Sequence, residues 1–326
     1  MTVTTPMGQG RPRSPAASVT RRRAIGIFAA AVGLPLIAAG VRSLAPQGRF
    51  HNWQGEALGT VATLSLWHPD EARARRMIGH SRREIERLEQ IFSLHRADSE
   101  LSRLNRFGSV AAPSRELRAV FDLAQRMGAL SGGAFDMTVQ PLWLLYARHF
   151  ETAGPDAAGP DQRTLARVVS HIDYRRVTIG RARIAFEAPA MAVTLNGIAQ
   201  GFITDRVADM LRDSGFEHVV VDLGEVRTLG GHPGGRPWRV GIRNATSPGE
   251  VAGTVDIAGE ALAVSGGYAS RFDAAARHHH IFEPDTGRSA TRLLDVAVIG
   301  PRATEADALS TAIFAAGEAR ARTLLA

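Results

Sequence analysis

Asp307 and Thr311 stand four residues apart, on one face of any helix that spans them. A carboxylate and a hydroxyl one turn apart can give oxygen ligands to a hard cation such as Mg2+, which takes one or two protein carboxylates and completes its shell with phosphates and water. The plainer reading is a solvated helix edge, because the inward stripe expected there is Leu309, Ala312, Ile313 and Ala316. Upstream, Thr194-Leu195-Asn196-Gly197-Ile198-Ala199-Gln200-Gly201 runs from a loop into a helix, with Asp205 one turn on. Free amides at a helix start suit a phosphate, and close packing of Gly197 and Gly201 against a neighbour explains the glycines equally well. Gly132-Gly133-Ala134-Phe135-Asp136-Met137-Thr138 sets a carboxylate and a hydroxyl just past a glycine stop. Such a turn holds an anion or a polar heterocycle, or simply ends a helix. His278-His279-His280 leads into Ile281-Phe282-Glu283-Pro284-Asp285-Thr286-Gly287, read as a strand ending in a turn. On a strand only His278 and His280 would share a face, as metal ligands or with one as a base.

These residues need elements to hold them. Gly59 to Trp67 alternates as a strand, and from Asp70 the residues Ala74, Met77, Ile78, Ile85, Leu88 and Phe92 recur at helical spacing. Ser114 can cap a second helix with Leu117, Val120, Phe121, Ala124 and Met127 inward, stopped by Gly132-Gly133. Residues 151–162, with Gly154-Pro155 and Gly159-Pro160, read as a surface loop. A third helix is expected from about Gly197 to Ser214, and a last one from about Thr304 to Ala316. Strand signals fall at His218–Leu223, Pro237–Arg243, Val251–Ile257 and Asp295–Ile299. Strands that cluster without alternating regularly with helices indicate α+β rather than a doubly wound sheet.

The 326 residues contain no cysteine and no lysine, so all 39 basic residues are arginine. Disulfides, thiolate nucleophiles, zinc-cysteine sites and lipoprotein acylation are excluded, as are a Schiff base and a P-loop lysine. The net charge of +7 invites a nucleic-acid reading, but five of those charges are Arg11, Arg13, Arg21, Arg22 and Arg23, leaving 34 arginines against 32 acids beyond residue 40. Thr20-Arg21-Arg22-Arg23 followed by the uncharged run Ala24 to Gly40 resembles a twin-arginine (Tat) export signal. Periplasmic placement is expected, with the signal cleaved or kept as an inner-membrane anchor, and nucleic acid is not an expected partner. The organisation read from this is a signal or anchor over 1–40, a linker over 41–56 and one domain over 57–326.

In order, the motifs resemble the ApbE family of periplasmic FAD:protein FMN transferases over roughly residues 57 to 318. The resemblance rests on Leu58-Gly59-Thr60, Phe92-Ser93 with Asp98-Ser99-Glu100-Leu101-Ser102-Arg103-Leu104-Asn105, and Gly133-Ala134-Phe135-Asp136 with Thr138. It continues through Asn196-Gly197-Ile198-Ala199-Gln200-Gly201, Ser265-Gly266-Gly267-Tyr268, His280-Ile281-Phe282-Glu283-Pro284 with Thr286-Gly287, and Ala306-Asp307-Ala308-Leu309-Ser310-Thr311-Ala312. The wording Thr-Leu-Asn-Gly-Ile-Ala-Gln-Gly-Phe-Ile-Thr-Asp and the leader look most like the NosX branch, which serves the membrane flavoprotein NosR of nitrous oxide respiration.

The resemblance implies mixed or antiparallel sheets flanked by helices. It sets FAD between the Gly-Ala-Phe-Asp turn and the loop at 194–200, with Leu58, His95, Ala134, Phe135, Asp136, Thr194, Gln200 and Ile281 at flavin-nucleotide contacts. It assigns Mg2+ to Asp307, Thr311 and a main-chain oxygen of Gly197, replacing the solvated-edge reading, and it gives His280 the task of assisting the incoming hydroxyl. The implied reaction moves FMN from FAD to a Ser or Thr of a target flavoprotein, NosR-like by the branch resemblance, and releases AMP. Leu58 stands where the family usually has Met, His95 where it has Tyr, and Gln200 where it often has Lys. Two other activities fit the same residues: an Mg2+-dependent FAD pyrophosphatase giving FMN and AMP, and a periplasmic flavin-binding protein without catalysis.

Overall fold

In the computed structural model, which describes residues 48–324 apart from Pro248, the chain opens on a hairpin of β1 (Arg49–Ala57) and β2 (Thr60–His68). Residues 49–56, expected in a linker, therefore form a strand, paired along its whole length with β2. The arginine-rich leader and the apolar run after it lie outside the described residues. Asp70 caps α1 (Glu71–Phe92) by accepting from the Arg73 N–H at 3.0 Å, and Ala74, Met77, Ile85, Leu88 and Phe92 are buried as their spacing predicts. Next come α2 (Glu100–Phe107), β3 (Ser109–Ala111) and α3 (Arg115–Leu130), the last capped by Ser114 as expected. Its five expected inward residues are all buried, and Gly132 and Gly133 follow with φ of +60° and +87°, where a side chain would be strained.

α4 (Gln140–Ala153) and α5 (Gln162–Val169) flank the loop expected at 151–162, and β4 (Val177–Ile179) and β5 (Arg183–Phe186) join β3 in a small sheet. The main sheet is completed by elements on either side of α6 (Ala199–Asp213): after it come β6 (Val219–Asp222), β7 (Val226–Leu229), the hairpin β8 (Trp238–Arg243) with β9 (Val251–Ile257), and β10 (Ala261–Gly266). The short pair β11 (Phe282–Glu283) and β12 (Arg288–Ser289), then β13 (Asp295–Gly300), α7 (Ala303–Ala316) and α8 (Glu318–Leu324), end the described chain. The six-stranded sheet runs β1-β2-β6-β7-β10-β13, with every neighbouring pair antiparallel. This is the α+β arrangement the sequence indicates. α2, α4, β7 and β10 are not among the elements expected from the sequence.

Two expectations fail on burial. α7 is not a half-solvated helix: it packs on α6, β10, β13 and α3, and Asp307 is 3% exposed. The three histidines do not lie on one extended strand, since only Phe282 and Glu283 of that segment form strand structure. His278 packs its ring on Tyr146 and Phe150, whereas His280 is held by Ser270, so the two do not share a site. Among the described residues no helix is long and apolar enough to cross a membrane.

Candidate active site

The two chemically interesting helices hold each other by their ends. α7 has no cap of its own, and Asp205 of α6 supplies one: its carboxylate accepts from the Ala303 and Thr304 N–H groups at 3.0 Å each and from Thr304 Oγ1 at 2.6 Å. In return Asp307 Oδ2 accepts from the Gly201 N–H, in the first turn of α6, at 3.0 Å. A Cβ on Gly201 would lie 2.3 Å from Ala303 O, and one on Gly197 would lie 2.9 Å from Thr311 Oγ1. Both glycines are therefore packing glycines against α7, and that packing is what brings Gly197 beside Thr311. The phosphate-at-helix-start reading loses ground here, because the N–H groups of Asn196, Ile198, Ala199 and Gly201 already have protein acceptors.

Asp205 is itself neutralised by Arg227 at 2.5 Å and Arg302 at 3.2 Å. Three other buried carboxylates are not. Asp222 and Glu225 flank the β6–β7 turn, where Gly224 takes φ of +107° and lets Gln200 Nε2 approach to within 2.7 Å of where a Cβ would be. Asp307 lies across from them on α7. Burial pushes Asp222 up to about 7 and Asp307 up to about 7. It also pushes Glu225 well above the usual carboxylate range, with Asp307 and Asp222 adding repulsion. Glu225 Oε2 is buried without a hydrogen-bond partner.

The facing wall is the turn after α3. Asp136 Oδ1 accepts from the Thr138 N–H at 2.7 Å and from Thr138 Oγ1 at 2.6 Å, and Oδ2 accepts from the Tyr174 N–H at 3.0 Å. Burial outweighs these donors and raises its pKa to about 6. The Thr194 N–H donates to Met137 O at 2.8 Å, tying this turn to the loop before α6. Asn105 of α2 clamps the same loop from behind, accepting from the Val193 N–H at 2.7 Å and donating to Val193 O at 2.8 Å. On the third side His280 is fixed to Ser270 O through its backbone N–H at 3.1 Å and through Nδ1 at 3.2 Å. A carbonyl can only accept, so Nδ1 carries the proton and Nε2 is the free base. Burial, with His279 nearby, pushes its pKa down to about 4, so the ring is neutral at physiological pH.

Between these walls lies an open cleft. It brings together ten of the twelve residues singled out in the sequence: Ala134, Phe135, Asp136, Thr194, Gly197, Gln200, His280, Ile281, Asp307 and Thr311. Leu58 and His95 do not line it. Leu58 sits in the β1–β2 turn with φ of +48° and donates its N–H to Glu89 Oε1 at 2.7 Å. That turn neighbours the cleft through Thr60, whose Oγ1 accepts from Gln200 Nε2 at 3.2 Å. His95 is exposed just after α1, its N–H donating to Ser93 Oγ at 3.1 Å.

The cleft also holds residues to which the sequence assigns no role. Ser265 Oγ contacts both Ser310 Oγ at 2.8 Å and Thr311 Oγ1 at 3.1 Å, and Trp143, Tyr268 and Glu225 line the walls. Glu225 had a signal: two acids, Asp222 and Glu225, interrupt an otherwise apolar run from Val219 to Val226. Among the lining residues the only side chain able to carry positive charge is His280, whereas Asp136, Glu225 and Asp307 are acidic.

Comparison with known proteins identifies the family. The ApbE family profile matches residues 58–326. A FAD:protein FMN transferase of Vibrio cholerae is 32% identical over 274 residues, 82% of this chain and 81% of that protein. The solved flavin transferase ApbE from Vibrio cholerae aligns with a TM-score of 0.73 at 28% identity, covering 85% of this chain and 90% of that one. The apo flavinyl transferase ApbE from Pseudomonas stutzeri gives a TM-score of 0.72 at 25% identity, covering 85% and 88%.

Proposed function

Because the chain belongs to the ApbE family, we propose that it is an Mg2+-dependent FAD:protein FMN transferase acting in this cleft. The observation that carries the proposal is the reciprocal capping of α6 and α7, which collects Gly197, Asp307 and Thr311 beside His280. The residues present fit a hard divalent cation: the donors are carboxylate and hydroxyl oxygens, Glu225 Oε2 is buried without a partner, and no arginine lines the cleft to meet a pyrophosphate. Asp307, Thr311 and the Gly197 carbonyl would hold Mg2+. When bound, it supplies neutralisation of the pyrophosphate and of the leaving AMP.

The chain's own residues do the rest. Ala134, Phe135, Thr194, Gln200 and Ile281 bind the flavin nucleotide. Asp136, whose two oxygens are occupied by protein donors, keeps the 135–138 turn in shape. Leu58 and His95 lie outside the cleft lining and take no part in this binding set. His280 Nε2 accepts the proton of the acceptor Ser or Thr as its oxygen bonds to the FMN phosphorus and the bond from that phosphorus to the AMP oxygen breaks. Assistance of this kind is typically worth about 10²–10⁴-fold.

The acceptor we propose is a NosR-like membrane flavoprotein, and the setting is the periplasm, reached through the twin-arginine leader. The loop wording at 194–205 and Arg21-Arg22 support both readings. Export of a fused reporter should stop when Arg21→Lys and Arg22→Lys are combined.

The deciding assay incubates the protein with FAD, Mg2+ and a NosR-like domain, then weighs the products. An FMN-sized mass gain on the acceptor is expected. Free FMN with AMP would make the protein a pyrophosphatase, and intact FAD would make it a flavin carrier. Asp307→Ala should abolish Mg2+-dependent turnover, and His280→Ala should keep FAD binding while losing transfer.

A further inference from the structure

We propose that Glu225 is a further carboxylate of the divalent-cation site, facing the same ion as Asp307 and setting its affinity. The inference rests on the Mg2+ reading above and extends it to a residue outside the set Asp307, Thr311 and Gly197.

The fold surrounds a buried carboxylate that it needs only for structure with donors. Asp205, 1% exposed, receives two arginines, two backbone amides and a hydroxyl. Glu225 is 7% exposed, and the one nearby group that favours its ionised form is the Val264 N–H. Its second oxygen, Oε2, is sealed from solvent with no partner. Among the described residues no ion pair reaches Glu225, Asp222 or Asp307, and the charged groups facing Glu225 are those two carboxylates. Leaving one ionised carboxyl buried and unpaired is costly, and gathering like charges makes it worse, unless a cation is part of the arrangement.

The backbone shows that Glu225 is aimed rather than merely trapped. Its carbonyl accepts from the Leu223 N–H at 3.2 Å and from Thr204 Oγ1 at 3.3 Å, fixing the turn. The β7–β10 ladder runs through Arg227↔Ala261 and Val226↔Leu262 and opens at Glu225, with the Val264 amide near its side chain. This keeps the carboxylate at the cleft, between the β10 wall that carries Ser265 and the α7 wall that carries Asp307 and Thr311. Two carboxylates, a hydroxyl and a carbonyl make a set of hard oxygens suited to Mg2+, with positions left for water and phosphate.

The test is calorimetric titration of Mg2+ alone into the full-length protein without FAD, with the melting temperature read in EDTA. Glu225→Gln keeps the shape and removes the charge. Mg2+ affinity should fall about 10–100-fold, while the melting temperature in EDTA stays level or rises because an unpaired buried carboxyl has gone. A merely structural Glu225 would do the reverse, with unchanged Mg2+ affinity and a lower melting temperature, and would overturn the proposal. Asp307→Ala runs alongside. If it loses Mg2+ while Glu225→Gln keeps wild-type affinity, this inference fails and the Mg2+ reading stands. If the wild-type protein takes up no Mg2+, both fail. Should Glu225→Gln not fold, Glu225→Asp, which draws the carboxylate back by one methylene, takes its place under the same expectation of weakened Mg2+ binding.

Discussion

His280 owes its chemistry to a single carbonyl. Ser270 O fixes the proton on Nδ1, and desolvation holds the ring neutral down to about pH 4. Imidazole nitrogen NMR of the folded protein at pH 6 should therefore find a neutral Nδ1–H histidine signal that vanishes in His280→Ala. Because the folded pKa lies below the unfolded value near 6.5, neutral His280 favours folding above that value, and its contribution is lost as pH falls from about 6.5 to about 4. Leu58 offers a second check. A leucine with φ of +48° costs about 1–2 kcal/mol relative to glycine. Leu58→Gly relieves that strain but removes a side chain packed on the main core, so the stability of the FAD-free protein should change by no more than about 1 kcal/mol, read by urea titration. If Leu58 also touches the nucleotide, the same change weakens FAD binding. Single residues were legible where chemistry and spacing coincide, as at Asp307 and Thr311. Glu225 was not, because an acid after a strand reads as a turn residue until the turn is known to face inward.

At the scale of elements, the clamp between α6 and α7 is the device that builds the site. Spacing outlines both helices, yet α7 looked half-solvated, because a helix covered on several sides buries its polar edge along with its apolar one and periodicity cannot tell the two cases apart. The partners across the clamp, Asp205 to the α7 amides and Asp307 to Gly201, lie about a hundred residues apart in sequence and leave no local pattern. Two variants test the clamp from opposite ends. Asp205→Ala strips Arg227 and the α7 N-terminus of their acceptor and should cost about 3–5 kcal/mol, as breaking a buried ion pair does. Gly201→Ala drives a methyl against the Ala303 carbonyl, which is backbone and cannot swing aside. It should cost about 1–3 kcal/mol and, by pushing α7 away, weaken Mg2+ binding. Denaturant melts give the first quantity and calorimetry the second. Asn105→Ala would act more gently, loosening the Thr194 loop through Val193 without touching α7.

The whole molecule, stripped of divalent cations, carries an electrostatic burden that pH should reveal. Asp222 is 1% exposed, with one backbone donor, the Gly224 N–H at 3.2 Å, and burial lifts its pKa from 3.8 to about 7. A carboxyl with a raised folded pKa favours folding while protonated. That contribution is complete below about pH 4 and is lost as pH climbs through 7, the reverse of His280. Asp222→Asn keeps the acceptor for Gly224 and removes the titration. Measured in EDTA, the variant and the wild type should be nearly equally stable at pH 4.5, and the variant should pull ahead by a few kcal/mol by pH 8. Glu225 and Asp307 titrate in the same direction and remain in both proteins, so the difference between the two curves isolates Asp222. A gap that does not change with pH would mean that Asp222 is not carrying a buried charge. A gap that closes when Mg2+ is added at pH 8 would tie the stability of the fold to the ion proposed for the cleft.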